Sequence, residues 1–172
     1  ASKAVIFPIL SLKVRTCEKL HENFDGQPNR FITEGQSIST STMRITMVQQ
    51  GLSPGGIFNY GTVPDYMSGP AIVMCYNQNG FSVPPQILAL TFHTPCICLR
   101  FAYVHLDGTT TLRFYDQADN VLEKRVLDSA LGGRHQWVEF KSTRSRPLVK
   151  MTVETGDHCY MDNFDMCVVG PA

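Results

Sequence analysis

CYMDNFDMC, residues 159–167, is the stretch on which the fold turns. Successive side chains of an extended chain point to opposite faces. Tyr160, Asp162, Phe164, Met166 and Val168 then share one face, and Cys159, Met161, Asn163, Asp165 and Cys167 share the other. The first face is apolar except for Asp162. A buried carboxylate needs a partner, a cation or a path to water, since an uncompensated one is penalised by several kcal/mol. The stretch predicts a strand and leaves open what compensates Asp162.

The same alternation runs through the chain. RITMV (44–48) places Ile45 and Met47 together, while AIVMCY (71–76) and ILALTF (87–92) are apolar throughout and read as buried strands. ICLRFAYV (97–104) sets Ile97, Leu99, Phe101 and Tyr103 against Cys98, Arg100, Ala102 and Val104. TLRFYD and VLEKRVL flank DQADN, whose Asp and Asn suit the positive φ of a hairpin corner. WVEF pairs Val138 with Phe140, and LVKMTVE groups Val149, Met151 and Val153. No segment keeps a helical stripe over three turns, and VLDSALGG (126–133) amounts to one short turn. Eight or more closely spaced strands predict an all-β, antiparallel two-sheet β-sandwich or a barrel.

At 172 residues the chain suits a single domain, 1–172, with a full core. Fifteen basic residues balance fifteen acidic ones, which leaves no electrostatic footprint for nucleic acid or an anionic membrane. No apolar run approaches the ~20 residues of a spanning helix; AVIFPIL (4–10) is broken by Pro8. The start at Ala1 fits removal of a signal peptide and fits an expression remnant equally. Six cysteines, an even number, point to disulfides and a secreted, extracellular setting. Cys96 and Cys98 form C-x-C on one strand face, not the C-x-x-C of a zinc site. Cys159 and Cys167 cannot bridge within one strand, because eight residues of strand span about 26 Å.

One long stretch, GLSPGGIFNYGTVPDYMSGP (51–70), is rich in Gly and Pro and reads as an irregular loop. It carries Phe58, Asn59, Tyr60, Asp65 and Tyr66, a mixture of flat rings and polar edges suited to the C–H faces and hydroxyls of a sugar. Those five residues are the candidate ligand contacts, unless the rings plug the end of the sandwich. Trp137 is a second platform. Catalytic motifs are missing: there is no G-x-S-x-G, no H-E-x-x-H and no glycine-rich phosphate loop, so no enzyme is expected.

Five segments in order resemble the galactose-binding-like jelly rolls of carbohydrate-binding modules and related secreted surface domains. They are NFDG at 23–26, then SGPAIVM with LALTFHTPCICLRF, then TLRFYDQADNVLEKRVL, WVEF and YMDNFDM. The resemblance spans about 17–168, the expected core, and implies neighbouring first and last strands with a calcium ion where they meet. Asp25 and Asp162 match the acids of that site, and Glu22 is a third candidate ligand. The alternative is that N–H groups of the 22–28 loop satisfy Asp162. Adjacent terminal strands would also let Cys17 face Cys167, leaving Cys75 and Cys159 as partners for Cys96 and Cys98 in either order. The implied function is a secreted carbohydrate-binding or adhesion module that recognises glycan. The alternative is a structural extracellular or virion surface domain that binds protein or self-associates.

Overall fold

The computed structural model describes residues 17–78, 80–105, 108–128 and 135–169. The segments AVIFPIL and 129–134 lie outside them. The strands, in chain order, are β1 (Glu18–Glu22), β2 (Arg30–Ile32), β3 (Ser37–Ser39), β4 (Met43–Gln49), β5 (Gly55–Val63) and β6 (Met67–Met74). They continue with β7 (Gln86–His105), β8 (Thr110–Tyr115), β9 (Val121–Leu127), β10 (Gln136–Lys141), β11 (Leu148–Thr155) and β12 (Cys159–Val168). All pairings are antiparallel. The architecture is the expected all-β sandwich.

β7 organises both layers. Its first half, near 86–92, lies between β4 and β11, and its second half, near 98–105, lies between β12 and β10. The change of partners falls around Pro95, which has no N–H to give a ladder. One layer therefore runs β3-β4-β7-β11-β8-β9 and the other β2-β5-β6-β12-β7-β10, with β1 beside the end of β12. Between them lies the core, built from Ile45, Met47, Leu90, Leu99, Phe101, Phe114, Phe140 and Phe164 among others. Phe101 stacks on Phe164 at 4.8 Å and Phe114 on Phe140 at 4.1 Å.

Strict alternation fails at three places, each time at a bulge. In β12, Asn163 adopts φ 51° and the register slips between Asp162 and Asp165. Asn tolerates that left-handed conformation better than most residues. Cys159, Met161, Phe164, Met166 and Val168 consequently face the core, and Tyr160 with Asp162 faces outward. The sequence reading put Asp162 on the face of Phe164; the bulge corrects it. In β7, a slip between the partners of Cys167 and Val168 sends Cys96 into the core while Cys98 keeps the parity of Arg100. The two cysteines do not share a face. In β11, a slip between Leu148 and Lys150 puts Leu148, not Val149, into the core with Met151 and Val153.

The expected irregular loop at 51–70 is also corrected. Most of it is the hairpin β5–β6, turning at Pro64–Tyr66. Its glycines serve strand packing: a Cβ on Gly56 would collide with the carbonyl of Arg30 on β2, and Gly61 sits at a bulge with φ 101°.

Cys17 is bridged to Cys167, tying the start of β1 to the end of β12 across a sequence separation of 150. Cys75, Cys96, Cys98 and Cys159 are free thiols. The expected bridges from Cys96 and Cys98 to Cys75 and Cys159 do not form, because the pairs sit at opposite ends of β12. Cys159 pairs in register with Met74, beside Cys75, whereas Cys98 pairs with Cys167.

Candidate functional site

Outward-facing residues of β5, β6, β12, β7 and β10 form a second apolar cluster away from the core. Its floor is Met67, Ala71, Val73, Ala102 and Val104, all buried beneath aromatic rings. Small side chains in the central strands leave room for rings from neighbouring strands to lie over them. Phe58, Tyr60, Tyr66, Tyr76, Trp137 and Tyr160 supply those rings.

The rings touch in series across the sheet. Phe31 on β2, 42% exposed, stacks parallel to Phe58 at 5.7 Å, and Tyr76 lies 4.6 Å from Phe58. Tyr76 meets His158 edge-on at 5.8 Å, and His158 lies 4.9 Å from Tyr160. Tyr160 meets Tyr60 at 4.5 Å, and Tyr60 meets His135 at 5.6 Å. His135 lies 5.6 Å from Tyr66, which stacks on Trp137 at 5.6 Å. The Arg100 guanidinium covers the indole, 3.9 Å from its centre. From β2 to β10 the stripe crosses five strand spacings, roughly 24 Å.

Polar atoms without partners lie within this stripe. His135 Nε2, His158 Nε2 and Arg100 Nε are buried and make no hydrogen bond among the described residues. Arg100 Nε is 3.3 Å from Glu139 Oε1, an ion pair without hydrogen-bond alignment. Burial holds both histidines below the usual imidazole range, opposed at His158 by the charge of Asp157. Burial also raises the Tyr60 phenol and pushes Tyr160 to about 12, so both hydroxyls stay protonated at neutral pH. The face thus offers flat apolar rings edged by neutral imidazoles and phenols, a surface matched to alternating C–H and hydroxyl groups. Native buried polar atoms are nearly always paired, so these atoms set this face apart from the rest of the surface.

Of the five expected ligand residues, Phe58, Tyr60 and Tyr66 come together on this face. Asn59 does not: it is exposed, and its side chain accepts the Gly61 N–H at 2.9 Å to hold the bulge. Asp65 is exposed in the hairpin turn with φ 70°. Sequence reasoning missed Phe31, Tyr76, Arg100, His135, His158 and Tyr160. The two-residue spacing of His158, just before β12, and Tyr160 within it was the available signal; the others come from separate segments that only the register joins.

The acids meet beside the stripe. Asp162 has no solvent exposure. Its Oδ2 accepts the Ser68 N–H at 3.1 Å and its Oδ1 has no hydrogen-bond partner among the described residues. Burial pushes its carboxyl up to about 7; the Ser68 and Asn163 N–H groups oppose the shift, and the charge of Asp25 adds to it. Asp25 is exposed and held by the Asn23 amide at 3.0 Å. Glu22 points to the other side of β1, where its oxygens accept the Phe24 N–H at 3.1 Å and the Thr42 hydroxyl at 2.8 Å. The structure brings Asp25 to Asp162 and leaves Glu22 apart.

The fold has counterparts among solved structures. The cleaved adhesin domain of Lys-gingipain from Porphyromonas gingivalis matches with a TM-score of 0.51 and 11% identity, over 89% of this chain and 99% of that one. An exo-beta-agarase matches with a TM-score of 0.52 and 13% identity over 88% of this chain, which corresponds to 25% of that enzyme. A family 29 carbohydrate-binding module is more distant, with a TM-score of 0.43 and 15% identity over 76% of this chain and 92% of that one. No family model and no curated protein matches the sequence. At such identities the likeness establishes the shared β-sandwich and nothing finer.

Proposed function

We propose that this chain is a non-catalytic, extracellular carbohydrate-binding or adhesion module that holds glycan on the aromatic stripe. The observation that carries the reading is the stripe itself: a connected series of rings from Phe31 to Trp137, edged by two buried imidazole nitrogens that lack hydrogen-bond partners among the described residues. Flat rings take the apolar faces of pyranose units, and His135, His158 and Arg100 take their hydroxyls. The length of the stripe favours an extended chain of several sugars over a single residue. An adhesin domain and part of an agarase share the fold, which supports the same reading, and the disulfide suits an oxidising compartment.

The Asp25–Asp162 pair fits a structural calcium ion. Calcium takes six to eight oxygens, mostly carboxylate and carbonyl. An unpartnered buried carboxylate oxygen within the influence of a second acid supports that reading. Asp25 and Asp162 would hold the ion and neighbouring backbone carbonyls would complete it, with Glu22 engaged elsewhere. The bound ion supplies charge neutralisation between the two acids.

Retardation in gels containing soluble polysaccharides tests the binding reading. A retarded wild type, with Phe58→Ala and Trp137→Ala migrating freely while keeping their fold, is the expected result. Free migration of the wild type across neutral and acidic polysaccharides, with capture of protein partners, would favour the structural surface domain.

A further inference from the structure

One thiol is neither buried nor isolated. Cys98 is half-buried on the outer face of β7, and its register partner across the ladder is Cys167, already bridged to Cys17. Partners in antiparallel strands have Cα atoms about 4.5–5.5 Å apart, within the range a disulfide spans. The existing bridge has a Cα separation of 5.3 Å. Cys167 therefore has two cysteines within bridging distance, Cys17 from the β1 side of β12 and Cys98 from the β7 side.

The surroundings suit the reaction. Lys19, Cys167, Cys98 and Lys141 lie in one cross-strand row over β1, β12, β7 and β10. Both lysines are exposed, and neither has an ion pair among the described residues. They border an open groove of about 480 Å³ that also reaches Cys98, Cys167 and Arg100. The three-sulfur transition state of exchange carries delocalised negative charge, and two cations flank it. The other free thiols lack this setting, since Cys75, Cys96 and Cys159 are buried.

The geometry points to a thiol–disulfide exchange site in this groove, with Cys98 displacing Cys17 from Cys167. The Cys98 thiolate attacks Cys167 Sγ, the Cys98–Cys167 bond forms, the Cys17–Cys167 bond breaks, and Cys17 leaves as a thiolate that takes up the proton Cys98 lost. One S–S bond is exchanged for another, so no oxidant or reductant is consumed. Exchange releases the covalent anchor of β1, an edge strand that pairs only with β12 among the described strands. Because β1 leads into Asp25, its release loosens the loop facing Asp162.

Disulfide mapping tests this independently of any glycan or metal. The oxidised protein is incubated at mildly alkaline pH without added thiol, quenched with iodoacetamide at intervals, digested and analysed by mass spectrometry. The expected result is a growing Cys98–Cys167 peptide matched by alkylated Cys17, with neither appearing in Cys98→Ser. In Cys17→Ser, a glutathione redox buffer should drive Cys98 and Cys167 to a bond. Cys17 labelling that proceeds equally in Cys98→Ser would overturn the assignment. So would a Cys17→Ser protein whose Cys98 and Cys167 both stay alkylatable in oxidising buffer.

Discussion

Asp162→Asn replaces one buried oxygen by an amide and removes the charge beneath Ser68. In the wild type, burial lifts the carboxyl to about 7 from an unfolded value of about 3.9. Its folded value is raised, so the unfolded chain ionises first as pH rises. Stability is full below about pH 4, declines through the window between the two values, and is lowest above about pH 7. Three units at 1.36 kcal/mol each set an upper bound of about 4 kcal/mol that solvent screening reduces, so a fall of several degrees in melting temperature is expected for a chain of this size. On the proposed calcium reading the ion would oppose this loss, because binding to the ionised native form would stabilise it by about 2.7 kcal/mol at a hundredfold excess over Kd. Melts in chelator should therefore fall with rising pH for wild type and stay flat for Asp162→Asn, which melts higher above neutrality. Adding calcium should raise the wild type and leave the variant unmoved. A wild-type melt indifferent to both chelator and pH would refute this, and Asp162 would be a hydrogen-bonded clamp.

Three further outcomes follow from the same geometry. Tyr66→Ala removes the ring stacked on Trp137 and should weaken glycan retention while shifting the melt little, measured by affinity gel and calorimetry side by side. His158 and His135 are held neutral by burial, so their contribution to stability is full above about pH 6.5 and is lost as pH falls through their depressed values. Glycan binding should weaken over that same acid range, and a pH titration of binding with the His135→Gln/His158→Gln double variant as the insensitive control checks it. Reducing the Cys17–Cys167 bridge opens a loop of sequence separation 150, and the chain-entropy model gives a loss of up to about 5 kcal/mol, readable by urea unfolding with and without reductant.

The strands were legible because alternation is local: Leu99, Phe101 and Tyr103, or Val138 and Phe140, reveal their face without any partner. The bulges were not, since Asn163 turns Asp162 outward through a single backbone angle that periodicity averages away. Gly and Pro misled at 51–70 because a strand that must accept a neighbour at close range, as Gly56 accepts Arg30, has the composition of a loop. Part of the aromatic face was visible as Phe58, Tyr60 and Tyr66 in one hairpin, with Trp137 as a second platform. The rest, from Phe31, Tyr76, His135, His158 and Tyr160, depends on the order β2-β5-β6-β12-β7-β10, which no single stretch encodes.

Trp137 is the chain's one tryptophan, and it stands in the proposed site between Tyr66 and Arg100. Its fluorescence reports on that face alone. Titration with soluble polysaccharides should give a saturable change in emission for at least one extended glycan, lost in Phe58→Ala and Tyr60→Ala, which remove rings at other points of the stripe. Emission unchanged by every polysaccharide, or a change that survives both substitutions, would contradict glycan binding on the aromatic face.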